Sequence, residues 1–256
     1  MKFISLQSGS NGNCFYVESG DIALLFDAGI SGKQAAERLA QHGRDIRHVN
    51  ALFISHDHRD HTSCLGVFNR KFNLPVYITQ KTLNAVQRYQ NVGRLEKIRL
   101  FTAGSSQTFG EVTVHTIPTP HDGVDGVAFV VEDARHRVGI LTDLGHAFEG
   151  LKAVLQSLDA VVIESNYDEQ MLATGSYPEP LKRRIRGAGG HLSNLDAAML
   201  LKEHAERRLR WACLCHLSND NNRPELAVQT HQEILENRIP IHVAWRDRVG
   251  DLLELS

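Results

Sequence analysis

The chain has 256 residues, of which 42% are hydrophobic and 23% are charged, and its formal net charge is −2. This composition is ordinary for a globular protein, and it gives no overall positive charge that would by itself indicate a nucleic-acid binder, although local patches also matter. No apolar stretch approaches a membrane span, the N-terminus lacks a signal-peptide core and the four cysteines lack paired spacing, so we expect a cytoplasmic protein without membrane contact.

Strands and helices alternate in the first third of the chain, as its hydrophobic periodicity indicates. The pattern predicts strands at Lys2–Gln7, Cys14–Glu18, Ile22–Asp27, Ala51–Ile54 and Val76–Thr79. It predicts helices at Gly32–His42, His61–Lys71 and Thr82–Tyr89.

The middle of the chain is rich in strands, and the last part returns to alternation. Further strands are predicted at Ile98–Thr102, Glu111–Ile117, Val127–Glu132, Val138–Leu141, Ala160–Glu164, Trp211–Cys215 and Ile241–Ala244. Helices are predicted at Phe148–Gln156, Glu179–Arg186, Leu195–Arg207 and Glu225–Asn237. We therefore expect one domain over residues 1–256, with helices outside and two sheets inside.

Residues 56–61 read His-Asp-His-Arg-Asp-His and directly follow a predicted buried strand. Imidazole and carboxylate groups suit zinc, iron and manganese, and α/β enzymes place their chemistry at strand ends. His56 and His58 alternate along the chain and can reach one ion, whereas Asp60 and His61 can reach a second. Such a hexamer can also be a solvated loop, but its position favours a two-metal site.

Three further predicted strands are each followed by a residue that can bind metal, namely His121, Asp143 and His216. A lone histidine is more often structural, so the three positions together carry more weight than any one of them. His115, His136 and His146 are competing candidates.

The order of these motifs, from about Ser5 to Val243, resembles the metallo-β-lactamase superfamily. The resemblance implies an α/β fold, a four-layer αββα sandwich, with two divalent ions (zinc, manganese or iron) at one edge of the sheets. It implies that Asp27 supports the histidine loop by hydrogen bonds and binds no metal. The implied ligands are His56, His58 and His121 for the first ion, Asp60, His61 and His216 for the second, and Asp143 for both.

Two other segments resemble the nuclease branch of that superfamily, which includes tRNase Z. His191 precedes a predicted helix and is implied to protonate the leaving oxygen, while Glu164, at a strand end, is implied to orient it. The alternatives are that His191 only caps the helix and that Glu164 is a solvated residue. Asp60 is assigned a second role, in helping to deprotonate the attacking hydroxide.

A closer resemblance is to the YycJ/WalJ-like family of bacterial nucleases, carried by Ser8–Asn13, Glu164–Tyr167 and His216–Ser218 among other segments. It implies 5′-to-3′ exonuclease action on double-stranded DNA. The basic residues of segment 181–186 are expected to face outward and to contact phosphates, although they can equally form an ordinary solvated face, and loop 8–13 can be a simple turn. The candidate substrate contacts are Asn11, Asn13, Lys182, Arg184, Ser193, Asn194 and Asn222.

The expected function is therefore a dinuclear metal phosphodiesterase acting on DNA, in which a metal-bridging hydroxide attacks phosphorus and His191 protonates the leaving oxygen. The alternative is a hydrolase of small esters, such as a thioester or lactone, on the same scaffold. A third possibility is a binding module without catalysis, which the intact ligand set disfavours.

Overall fold

The computed structural model describes residues 1–256 and contains fourteen strands in two seven-stranded sheets. The strands are β1 (Lys2–Gln7), β2 (Cys14–Ser19), β3 (Ile22–Phe26), β4 (Ala51–Phe53), β5 (Val76–Thr79), β6 (Ile98–Phe101), β7 (Ser106–Phe109), β8 (Val112–Pro118), β9 (Val127–Glu132), β10 (Arg137–Leu141), β11 (Ala160–Glu164), β12 (Trp211–Cys215), β13 (Ile241–Val243) and β14 (Leu253–Glu254). The first sheet has the order β14-β1-β2-β3-β4-β5-β6, and the second has the order β13-β12-β11-β10-β9-β8-β7.

Nine α-helices and one short 3₁₀ helix, Ile46–His48, accompany the sheets. The α-helices are α1 (Gly32–Gln41), α2 (Arg59–Thr62), α3 (Leu65–Lys71), α4 (Gln80–Tyr89), α5 (Glu149–Ser157), α6 (Glu169–Thr174), α7 (Glu179–Arg186), α8 (Asn194–His204) and α9 (Pro224–Ile234). None of them combines the length and the apolar character that a transmembrane span requires.

The central strands of both sheets are buried on both faces, which produces the predicted four layers. Along β3, Leu24 and Phe26 belong to the cluster between the sheets, whereas Leu25 packs toward α1 and α3, because successive side chains of a strand point to opposite faces. A third cluster joins the second sheet to α5, α8 and α9. The αββα prediction is therefore confirmed.

The sheets bring several strand ends to one edge of the molecule. Strands β3 to β6 are parallel to one another, as are β10 to β13, so their carboxyl ends lie together. Asp27 and His216 directly follow β3 and β12, and Asp143 lies two residues after β10; they have positive φ angles of 64°, 54° and 52°, respectively. This conformation is uncommon outside glycine, and such strain is concentrated at functional sites.

Several predicted elements differ from the structure. The helix predicted over His61–Lys71 is two helices, α2 and α3, because the chain turns at Ser63 and the Cys64 amide donates to Ala28 O at 2.9 Å. Strand β7 was not predicted since its residues are largely polar, and β14 and α6 were also missed.

Candidate metal centre and proton donor

The loop after β4 is held by the carboxylate of Asp27. Its Oδ1 accepts from the Ser55 amide at 2.8 Å and from the Ser55 hydroxyl at 2.9 Å. Its Oδ2 accepts from His61 Nδ1 at 2.7 Å, so His61 Nε2 points toward Asp143 in the cluster. Asp27 therefore has the supporting contacts that the sequence predicted for it.

The side chains of His56, His58 and His121 form the first three-donor group. One nitrogen from each lies within 4.8 Å of the others. His121 Nδ1 donates to Gly190 O at 2.8 Å, so its Nε2 faces the group. The Nε2 atom of His56 is buried and has no hydrogen-bond partner.

A second three-donor group consists of Asp60, His61 and His216. Asp60 Oδ2 lies 3.2 Å from His216 Nε2 and 3.4 Å from His61 Nε2. Asn13 Nδ2 donates to the same carboxylate oxygen at 3.2 Å, and this hydrogen bond holds the carboxylate in position.

The carboxylate of Asp143 lies between the two groups. Its Oδ2 is 3.2 Å from His61 Nε2, and its Oδ1 is 3.6 Å from His121 Nε2 and 3.7 Å from His216 Nε2. Asp143 Oδ1, like His56 Nε2, is buried without a hydrogen-bond partner. Because buried polar atoms are nearly always satisfied, the two orphaned atoms and the N/O donor set fit divalent metal ions.

The charges in the cluster also suit metal binding. Burial lowers the pKa of His56 well below 6.5, and the neighbouring His61 lowers it further. Burial opposes ionisation of Asp60 and of Asp143, but the facing imidazoles outweigh it and hold the pKa of both carboxyls below the ordinary value. Against the effect of burial, the Asp27, Asp143 and Asp60 carboxylates raise the pKa of His61 well above 6.5, so a metal that binds His61 Nε2 would displace a proton from it.

His191 lies beside the cluster and is paired with Glu164. The rings of His191 and His216 are 5.1 Å apart, and His191 Nδ1 donates to Glu164 Oε1 at 2.5 Å. Glu164 is fully buried, and its other oxygen accepts from the Leu144 amide at 3.1 Å. Burial alone would lower the pKa of His191, but the Glu164 carboxylate raises it to about 9. The remaining His191 nitrogen, Nε2, makes no hydrogen bond within the protein.

The structure buries several of the predicted substrate contacts. Ser193 is fully buried, and its hydroxyl caps α8 by accepting from the Asp196 amide at 3.0 Å. Asn194 and Asn222 are also buried and hydrogen-bonded to each other, with Asn194 Nδ2 donating to Asn222 Oδ1 at 3.0 Å. These three side chains form hydrogen bonds near the loop that carries His191 and are at most 4% exposed.

The prediction that Lys182 faces solvent is also wrong. Its aliphatic chain is buried and its ammonium donates to Ala173 O at 2.7 Å, because the long side chain can cover apolar surface and still reach a polar partner. Asn13 is fully buried beneath Asp60 and supports the site from inside.

Arg184 and Asn11 are more open. Arg184 Nε donates to Asp122 Oδ2 at 2.7 Å, and its side chain is 56% exposed. Asp122 Oδ1 lies 3.5 Å from His58 Nε2, which places Arg184 at the rim of the first group. Asn11 is exposed on loop 8–13, with its Nδ2 donating to Arg246 O at 3.0 Å.

The contributions of Ser55 and Asp122 were missed by the sequence analysis. The only feature of the sequence that could have indicated these roles is that Ser55 precedes His56 and Asp122 follows His121. The competing histidines lie outside the cluster: His115 pairs with Glu132 at 2.6 Å on the outer surface, His136 lies 3.8 Å from Asp133, and His146 is exposed.

This fold and donor arrangement define a metallo-hydrolase, and the chain belongs to the metallo-beta-lactamase superfamily, whose model matches residues 8–191. Within it, the chain belongs to the YycJ/WalJ family: it is 35% identical to "Exodeoxyribonuclease YycJ" of Bacillus anthracis, over 93% of this chain and 90% of that protein. It is also 35% identical to "Exodeoxyribonuclease WalJ" of Streptococcus pneumoniae, over 90% of this chain and 86% of the relative. The crystal structure of the metallo-beta-lactamase fold protein YhfI from Bacillus subtilis has the same fold, with a TM-score of 0.76 at 16% identity over 99% of both chains.

Proposed function

We propose that this protein is a dinuclear metal-dependent exodeoxyribonuclease that removes nucleotides from the 5′ end of DNA. The observation that carries the proposal is the buried Glu164–His191 pair next to two three-donor groups that share Asp143. The names of two relatives that are 35% identical over most of their length support the same substrate class.

We assign His56, His58 and His121 to one ion, Asp60, His61 and His216 to the other, and Asp143 to both. Zinc, manganese and iron all accept these ligands. When bound, two such ions lower the pKa of water and neutralise charge on the phosphoryl group.

The protein's own groups then act on either side of the phosphorus. The exposed part of Asp60 orients the attacking water by accepting a hydrogen bond; its lowered pKa makes it a weak base. As the bond between phosphorus and the leaving 3′-oxygen breaks, the electron pair passes to that oxygen, which takes a proton from His191 Nε2. Glu164 holds the imidazole ring in place and stabilises its charged form before the transfer. Arg184 at the rim is a candidate phosphate contact.

Hydrolysis of a small thioester or lactone is not favoured on this arrangement. A thiolate leaves readily without a proton, so the buried Glu164 carboxylate that orients His191 has no evident use in thioester hydrolysis. A lactone releases an alkoxide that takes up a proton, so that substrate is disfavoured by the exodeoxyribonuclease names of the two relatives and not by the Glu164–His191 pair.

The first prediction separates metal binding from proton donation. His191→Ala should retain both metals but lose about 10²–10⁴-fold in turnover of 5′-phosphorylated duplex DNA, which is the usual contribution of a general acid. Asp143→Ala should lose metal as well as activity, because it removes a ligand that both groups share. Metal content by mass spectrometry and release of labelled nucleotides measure the two effects.

His204→Ala changes the last residue of α8, outside the metal-ligand groups, and is the histidine control that should behave as the wild type. Full nuclease activity in His191→Ala would exclude the proposed acid. If the metal-loaded wild type cleaved thioesters and left DNA intact, the exonuclease function itself would be wrong.

A further inference from the structure

A cavity of about 280 Å³ opens next to the proposed proton donor. His191 forms part of its wall, and no metal-ligand candidate does. We call it the His191 cavity; the lining residues that matter below are Tyr167, Arg186, His191, Leu192, Met199 and Leu200.

The position of an acid in a hydrolase marks the position of the leaving group. In the proposed reaction the leaving atom is the 3′-oxygen of the nucleotide that is released, and the rest of the DNA keeps the phosphate on its new 5′ end. Because His191 must reach that oxygen, the released nucleotide lies on the His191 side of the scissile phosphate. The space on that side is the His191 cavity.

The size and lining of the cavity fit a single nucleotide. Its volume lies near the lower end of small-molecule sites, which span about 300–1,000 Å³. Leu192, Leu200 and Tyr167 are almost fully buried and form the apolar inner wall of the cavity. Met199 is 37% exposed and lies at the cavity's opening to solvent. An exposed methionine has a flexible, polarizable side chain, which can pack against a nucleobase beside these apolar residues.

Charges on the walls orient the nucleotide. Helix α8 contributes carboxylates, Asp196 and Glu203, which a phosphate would avoid. Arg186, at the end of α7, is exposed and lines the cavity, where its guanidinium can bind an anion. The base therefore packs toward α8, and the 5′-phosphate points toward Arg186.

We propose that the His191 cavity is the binding site for the 5′-terminal nucleotide that is cut off, with Arg186 contacting its phosphate and Met199 its base. This inference rests on the proposed function. It would place one nucleotide beyond the acid, which fits the release of single nucleotides.

The chain offers matched controls for a test. Met199→Trp fills the cavity, whereas Leu195→Trp changes a residue on the same helix that is 43% exposed and does not line it. Arg186→Ala removes the proposed phosphate contact, whereas Arg183→Ala removes an exposed arginine of the same helix outside the cavity. All four positions are at the surface or only partly buried, so the fold should be retained.

We expect Met199→Trp and Arg186→Ala each to lower kcat/KM for mononucleotide release from 5′-phosphorylated DNA by about tenfold or more, the effect of one lost contact of about 1.4 kcal/mol. Leu195→Trp and Arg183→Ala should match the wild type. Turnover of bis(p-nitrophenyl) phosphate should be unchanged in the two control variants, Leu195→Trp and Arg183→Ala, which lie outside the cavity.

A binding measurement provides a readout that does not depend on turnover. The chain has three methionines, Met1, Met171 and Met199, so ¹³C-methyl labelling gives few signals. Titration with dAMP should shift the Met199 methyl signal and leave those of Met1 and Met171 in place.

An unmoved Met199 signal at saturating dAMP, or DNA turnover in Met199→Trp equal to that in Leu195→Trp, would overturn the cavity assignment and leave the nuclease proposal intact. If the wild type releases no nucleotides from DNA at all, the proposed function fails, and the inference that rests on it fails with it.

Discussion

At the scale of single residues, the Glu164–His191 pair is the proposed proton donor. Glu164 is fully buried and uses both oxygens, one for His191 and one for the Leu144 amide. A buried carboxylate held in this way favours the charged imidazole, because the ion pair compensates the cost of burial.

The second prediction concerns the pH dependence of the pair in the metal-free protein. The pKa of His191 is raised from 6.5 to about 9, so the bound proton stabilises the fold below about pH 6.5, and this contribution is lost as pH rises toward about 9. Glu164→Gln removes the carboxylate and should bring the pKa of His191 down. The difference in free energy of unfolding between wild type and Glu164→Gln should therefore shrink as pH rises from about 6.5 to about 9.

Urea titrations in EDTA, together with ¹⁵N NMR titration of the imidazole, measure this difference and the pKa itself. Glu203→Gln, an exposed change on α8, is the control for removing a carboxylate. An unaltered His191 pKa in Glu164→Gln would mean that Glu164 does not set the charge of the ring.

The sequence predicted the metal-ligand candidates better than it predicted the residues around them. The metal-ligand candidates follow strands in a recognisable order, and all of them lie in one cluster. Residues that become buried among loops follow no recognisable order in the sequence. The burial of Ser193, Asn194 and Asn222 was therefore not predicted. The inward turn of Lys182 depends on a carbonyl from another helix, which no local periodicity reveals.

At the scale of elements, the start of α2 and loop 8–13 are joined at Gly29. The Gly29 amide donates to Asn13 O at 2.9 Å, and the Asn13 amide donates to Asp60 O at 2.7 Å. A side chain at position 29 would put its Cβ 1.8 Å from Asp60 O. The absence of a side chain is therefore what allows the turn carrying Asp60 and His61 to reach the site.

The third prediction follows from this close approach. Gly29→Ala should displace the start of α2, lower stability by about 1–3 kcal/mol as overpacking does, and weaken the second metal group. Metal content should fall toward one ion per chain, and DNA turnover should fall with it. Mass spectrometry of the metal-loaded protein and thermal unfolding give the two values.

Gly150→Ala in α5 is the matched control, because its Cβ would meet only Phe148 side-chain atoms at 3.5 Å or more. That variant should keep its metal and gain slightly in stability, as alanine does inside helices. Wild-type metal content in Gly29→Ala would show that the turn tolerates a side chain and that the packing argument is wrong.

Elements with strong hydrophobic patterns were predicted to within a few residues, and those without them were not. The apolar run of β11 gave the predicted bounds, Ala160–Glu164. The edge strand β7, Ser106–Phe109, alternates between exposed and half-buried positions and carries almost no apolar signal, so only its pairing with β8 defines it.

At the scale of the whole molecule, each proposed ion takes ligands from both sheets. His56 and His58 follow β4 of the first sheet, whereas His121 follows β8 of the second; Asp60 and His61 likewise face His216, which follows β12. Metal binding would thus cross-link the two halves of the sandwich, and this is the reason for proposing that residues 1–256 act as one domain.

The last prediction is that removal of metal destabilises the entire fold and not only the site. A ligand at about 100 times its Kd stabilises a protein by about 2.7 kcal/mol, and about 1 kcal/mol shifts Tm by about 2–4 °C in a chain of roughly this size. EDTA should therefore lower the Tm of the wild type by about 5–10 °C. Asp143→Ala, which lacks the shared ligand, should show a smaller response, whereas His204→Ala should respond as the wild type does. Equal responses of wild type and Asp143→Ala to EDTA would place the stabilising metal elsewhere, because a cross-link that needs Asp143 cannot survive its removal.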